Sequence, residues 1–156
     1  PIAGAALLYS LAAVIFEVLN LSFLAVGYSL PCVHHTPMAA RSVGEFWSRR
    51  WNLLVSAWLH TFIFSPLARR RRVGLGNLCA FFVSGLLHGW PILAALGIWP
   101  AFTTVAFFVI QGAAVLAENC LRIHTWPLPL ARAWTVIVIL GSSPLFISPG
   151  MRLFGL

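Results

Sequence analysis

The sequence has no lysine and no aspartate, and its only acidic residues are Glu17, Glu45 and Glu118. Charged residues make up 8% of the 156 positions, against 60% hydrophobic. The mean hydropathy is +0.92. So little charge excludes an ordinary soluble domain and makes lipid the main solvent. The three cysteines, Cys32, Cys79 and Cys120, are widely spaced and form no CxxC pair, which excludes a disulfide or zinc framework. No Gly-x-Ser-x-Gly, HxxxxD, P-loop or dinucleotide fingerprint occurs, and no internal repeat.

All ten basic residues are arginine, and they give a net charge of +7. Arg69–Arg72 form one run, and Arg41, Arg49 and Arg50 a second, each beside an apolar segment. That distribution fits cytoplasmic anchors on anionic headgroups. It does not fit nucleic-acid binding, since no aromatic stacking module accompanies the charge.

From Val73 to Ala117 no charged side chain occurs, a stretch long enough for two membrane-crossing helices of about 20 residues each. The expected helices are 73–96 and 101–121, joined by a turn at Gly97-Ile98-Trp99-Pro100. Residues 2–30 read as an earlier span, carrying Glu17 and Asn20. They lack the basic flank and small-residue cleavage site of a signal peptide. Residues 133–147 read as a last span interrupted by Gly141 and Pro144, after a loop from Arg122 to Arg132. The apolar stretch 53–67 is short and has positive clusters at both ends, so it is expected to dip in and return or to lie in the interface. The expected fold is therefore all-α and multi-pass, with about four spans and one re-entrant or interfacial helix. The chain, beginning with Pro, reads as a single membrane domain over 1–156 that is part of something longer.

Three polar stripes interrupt the apolar helices. On 73–96, Asn77, Phe81, Ser84 and His88 share one face, and Gly85 and Gly89 bracket the histidine at a spacing that lets a neighbouring helix approach closely. A histidine in such a place commonly serves as a helix-to-helix hydrogen bonder. Its other use is as a neutral imidazole in a dry pocket, able to take a proton from a hydroxyl. Asn52, Ser56 and His60 make a second stripe, in which His60 rivals His88, although near an interface a histidine is easily wetted. Gln111, Glu118 and Arg122 make the third, where Glu118 is expected to pair with Arg122 one turn on. His34, His35 and His124 read as loop residues.

Four motifs then become specific together: SVGEFWSRRWN at 42–52, FVSGLLHG at 82–89, FVIQG at 108–112 followed by Glu118, and SPLF at 143–146. From about Leu30 to the C-terminus the chain resembles the wax synthase branch of the membrane-bound O-acyltransferase superfamily. The resemblance implies transfer of a fatty acyl group from acyl-CoA to the hydroxyl of a long-chain alcohol, sterol or terpenoid. The family histidine falls on His88 and the family asparagine on Asn52. Trp47, Arg49, Arg50, Trp51 and Ser84 become the expected substrate contacts, with no metal and no cofactor beyond the acyl-CoA co-substrate. Acyl-CoA, the alcohol and membrane lipids are the expected partners, in the endoplasmic reticulum of a eukaryote or the inner membrane of a bacterium. The competing reading is a transporter or non-catalytic membrane protein whose stripes line a path or hold helices together. One matter of geometry stays open. His88 lies 16 residues past Arg72, about 24 Å of helix, whereas Asn52 stands near an arginine cluster. Either the helix starts late, which Gly74 and Gly76 permit, or the short segment carries Asn52 into the membrane.

Overall fold

The computed structural model describes residues 36–155, with scattered positions between 10 and 27. The expected first span, apart from those positions, and Cys32, His34 and His35 lie outside the described residues. In chain order the helices are α1 (Val43–Glu45), running on as a π-helical turn (Phe46–Arg50), and α2 (Leu53–Leu59), which a π-helical stretch (His60–Phe64) joins to α3 (Ser65–Arg69). They continue with α4 (Val73–Leu96), α5 (Ile98–Leu121), α6 (Leu128–Ser142) and α7 (Pro144–Leu153). Among the described residues there is no strand, as the all-α expectation requires.

Helices α4 and α5 are each long and apolar enough to cross a membrane, and the bent pair α6–α7 makes a third crossing if counted as one span. The start and end of α4 are those expected, but the turn after it is tighter. Gly97 alone makes it, at φ 88° and ψ −174°, a conformation open essentially to glycine, and α5 begins at once at Ile98. Pro100 does not delay the helix, because the N–H groups of a first turn have no intrahelical partner to lose.

The hairpin packs through glycine. A Cβ on Gly85 would stand 3.1 Å from the Val105 Cα, and one on Gly89 3.2 Å from the Val105 side chain. The two backbones therefore approach more closely than any larger residue allows, as the small-residue spacing predicts. Central to the molecule is α5, which touches α1, α4, α6 and α7. Ala101, Thr104, Phe108, Gln111 and Glu118 are buried along it.

The last expected span is revised at both ends. Pro129 sits in the first turn of α6, where proline is tolerated, so the helix starts at Leu128 inside the presumed loop. The break falls at Ser143, where the chain bends by 44°. Pro144 has no N–H for the Leu140 carbonyl, and the Ser143 hydroxyl donates to that carbonyl instead, at 2.8 Å. Leu53–Arg69 forms the short apolar helical run expected there, and it packs back on the start of α4, where a Cβ on Gly76 would meet the Phe64 carbonyl at 3.1 Å.

Candidate active site

A cavity of about 1140 Å³ lies between α4, α5, the α6–α7 bend and the segment 44–64. Its walls are mainly apolar, and both Asn52 and His88 line it.

His88 lies on the inner face of α4. Its Nδ1 stands 2.8 Å from the Ser84 carbonyl, an acceptor only, so Nδ1 carries the proton and donates. Nε2 is then the basic nitrogen, and it has no partner among the described residues. The ring rests against Phe108 (centroids 4.7 Å apart) and Phe146 (5.6 Å), which fix its orientation. Ser84, one turn earlier, is 6% exposed and lines the same cavity.

Asn52 follows Trp51, which closes the π-helical turn, and caps α2. It takes the left-handed conformation, φ 43°, which asparagine adopts more readily than most residues. Its Oδ1 accepts from the Val55 N–H at 3.4 Å, satisfying one of the N–H groups that open α2. The Nδ2 amide then remains, without a partner among the described residues, as a donor for whatever occupies the cavity.

The segment before Asn52 explains how it reaches that place. At its base, the Glu118 side chain of α5 accepts the N–H groups of Val43 and Gly44. Further up, Trp47 donates through Nε1 to Gln111 at 3.2 Å. Its ring packs against Phe81, Phe107 and Phe108. From Glu118 to Phe108 is about 15 Å along α5. The Phe108 ring touches both Trp47 (5.7 Å) and His88 (4.7 Å), so the segment has climbed to the level of the histidine. Helix α4 starts at Val73, so the late start is not observed, and Asn52 and His88 line one cavity.

Of the expected substrate contacts, Trp47, Trp51 and Ser84 line the cavity, and Trp51 stacks on Phe46 at 5.6 Å. Arg49 and Arg50 do not line it. The π-helical turn that aims Trp47 and Trp51 inward aims the arginines outward. Arg49 is exposed. Arg50 is engaged by Glu45 at 2.6 Å and by the carbonyl and hydroxyl of Thr36. Burial alone would push the Glu45 carboxyl up, but the Arg41 N–H, the Arg50 hydrogen bond and the charges of Arg50 and Arg49 outweigh it and hold the carboxyl below its ordinary value. His60 also lines the cavity, though it is exposed, with Nδ1 3.4 Å from the Ser65 hydroxyl and the ring stacked on Phe64.

The expected Glu118–Arg122 pair does not form. Arg122 turns out of α5 in the left-handed conformation, φ 51°, and Glu118 is occupied by Val43, Gly44 and Trp134. A sequence signal for this arrangement exists in the Ser42-x-x-Glu45 spacing of a helix start, and the Ser42 hydroxyl does accept the Glu45 N–H, at 2.9 Å. The Phe107, Phe108 and Phe146 surround of His88 carries no such signal, because aromatic residues are scattered throughout the apolar helices.

A mostly apolar cavity inside a helical membrane protein, lined by a histidine and an asparagine, suits lipophilic molecules. The model of the membrane bound O-acyl transferase family matches residues 30–110, just over half of the chain. The chain belongs to this family, in its wax synthase-like branch. It is 34% identical over 123 residues to the probable long-chain-alcohol O-fatty-acyltransferase 1 of Arabidopsis thaliana, covering 74% of this chain and 36% of that protein. To the probable long-chain-alcohol O-fatty-acyltransferase 9 of the same plant it is 31% identical over 148 residues, covering 82% and 43%. To the long-chain-alcohol O-fatty-acyltransferase of Simmondsia chinensis it is 33% identical over 105 residues, covering 62% and 30%. The chain thus spans 30–43% of the length of these relatives. No solved structure matches it.

Proposed function

We propose that this chain is the part of a membrane-embedded acyltransferase that carries the reacting side chains, and that the whole protein transfers a fatty acyl group from acyl-CoA to the hydroxyl of a long-chain alcohol. The observation that carries this reading is that His88 and Asn52 line one mainly apolar cavity, with the Nδ1 of His88 and the Oδ1 of Asn52 already engaged by backbone. The names of the similar proteins point to the same class of acceptor.

In this reading the alcohol oxygen attacks the thioester carbonyl while His88 Nε2 removes its proton, as a general base. A C–O bond forms, the carbonyl oxygen gains charge, and the Asn52 amide donates to it. Collapse breaks the C–S bond, and His88 returns the proton to the leaving thiolate. Water would compete with the alcohol, so the apolar walls suppress thioester hydrolysis. Trp47, Trp51 and Ser84 serve as cavity wall for the bound chains. The exposed Arg49 and Arg69–Arg72 supply surface charge for the phosphates of CoA, whereas Arg50 is committed to Glu45. Residues 1–156 act as one membrane domain, in the endoplasmic reticulum if the source is eukaryotic and in the inner membrane if bacterial.

The test supplies labelled acyl-CoA and a panel of fatty alcohols, sterols and terpenols to membranes carrying the full-length protein and its His88→Ala variant. Ester formed from long-chain alcohols by the parent, and lost in the variant, is the expected result. Undiminished ester in the variant would remove His88 from the mechanism, and no ester with any acceptor would remove the activity.

A further inference from the structure

Gln111 and Glu118 stand two helical turns apart on the buried face of α5 and are 0% and 6% exposed. Polar side chains buried in an apolar helix are costly without partners, and these two are partnered in parallel ways. Glu118 accepts the N–H groups of Val43 (2.5 Å) and Gly44 (3.0 Å) from the α1 segment, and the Trp134 Nε1–H (3.0 Å) from α6. Gln111 accepts the Trp47 Nε1–H (3.2 Å) from the same segment and donates through Nε2 to the Ser142 hydroxyl (2.7 Å) of α6. Each therefore ties three elements together, one at the base of the segment and one further up. Neither lines the cavity.

The segment they hold cannot hold itself. It is one α turn, one π turn and a left-handed residue, set among apolar helices. Val43 and Gly44 open α1, so their N–H groups have no intrahelical acceptor. Irregular backbone at membrane depth persists only where protein supplies the missing partners.

We propose that Gln111 and Glu118 are positioning residues of the acyl transfer, a two-rung rail that fixes how far the α1 segment is inserted along α5 and so where Asn52 stands relative to His88. This rests on the acyltransferase reading above. Slippage by one helical turn would displace Asn52 by about 5 Å, far beyond the tolerance of an oxyanion contact. The upper rung reaches the histidine side as well. Ser142 adjoins the bend at Ser143, and Phe146 just beyond it packs on His88.

Two experiments on the full-length protein test the rail. The first measures kcat and KM per amount of folded protein for Glu118→Gln, Gln111→Leu, Trp47→Phe and the last two combined. Glutamine at 118 keeps the size but turns a donor toward the Val43 or Gly44 N–H. The expected result is a kcat lowered about 10-fold to 100-fold, with KM for acyl-CoA changed less than twofold in Glu118→Gln and Gln111→Leu, which do not line the cavity, and a Trp47→Phe/Gln111→Leu pair no worse in kcat than its poorer member. A raised KM at constant kcat, losses that follow only the amount of folded protein, or additive effects in the pair would overturn the proposal. The second needs no catalysis. In a background whose native cysteines are alanine, Asn52→Cys is labelled with a membrane-impermeant maleimide. Adding Glu118→Gln is expected to change the labelling rate at least fivefold, and an unchanged rate overturns the rail. If the parent forms no ester, the acyltransferase reading fails while the labelling still decides the placement.

Discussion

The α4–α5 hairpin and the segment 42–69 face each other across the same cavity and are built on opposite principles. In the hairpin the backbone satisfies itself through long regular helices, and the helices have only to approach, which Gly85 and Gly89 allow. In the segment the backbone changes from α to π twice and passes through a left-handed residue, so side chains from elsewhere must complete it. Glu118 does so for Val43 and Gly44, Ser42 and Asn52 cap the two helix starts from within, and Gln111 holds the Trp47 side chain. The first construction makes a close-packed wall that carries His88. The second holds a short polar tip, Asn52, at the cavity, with a glutamine and a glutamate buried behind it.

The comparison can be broken most severely at the two groups proposed to react. His88→Ala should lower ester formation by on the order of 10²–10⁴ while leaving the hairpin folded, because the imidazole contributes a proton acceptor and ring contacts but no packing between backbones. Thermal unfolding in detergent beside an esterification assay checks both halves of that statement. Asn52→Asp should cost about 10²–10³ in rate. An aspartate still caps the Val55 N–H but presents no amide donor, so full activity with aspartate at this position would refute the donor role.

Two smaller effects separate the constructions themselves. Gly85→Ala should destabilise the hairpin by about 1–3 kcal/mol, since the added methyl meets the Val105 backbone, which cannot move without parting the helices. Gly44→Ala, where the nearest atoms lie at 3.6 Å, should be close to neutral. Equal losses at both positions would erase the distinction between a close-packed wall and a hydrogen-bonded tip. Least of all, Glu45→Gln should cost no more than about 1 kcal/mol, as expected of a partly exposed ion pair. The Glu45 carboxyl is held below its ordinary value, so its contribution is complete above the pH at which free carboxylates titrate and is lost as pH falls through the lowered value. Unfolding of the parent should therefore be more acid-sensitive in that window than unfolding of the Gln variant.

The resemblance of whole motifs, not local rules, singled out His88 and Asn52 as a pair. The sequence by itself determined the membrane character, the bounds of α4 and the glycine contact beside His88. Each of these follows from local rules: apolar length, helical spacing, and the cost of a polar group in lipid. The tertiary structure decided what spacing along one helix cannot carry. Glu118 had an arginine one turn away and bonds instead to backbone 75 residues earlier in the chain. Arg49 and Arg50 lie within the most recognisable motif and point away from the cavity that Trp47 and Trp51 line. Asn52 stands beside arginines in the sequence, yet lines the same cavity as His88. In each case the outcome depends on which groups of a distant helix satisfy an irregular stretch of backbone, and that is settled only when the elements pack.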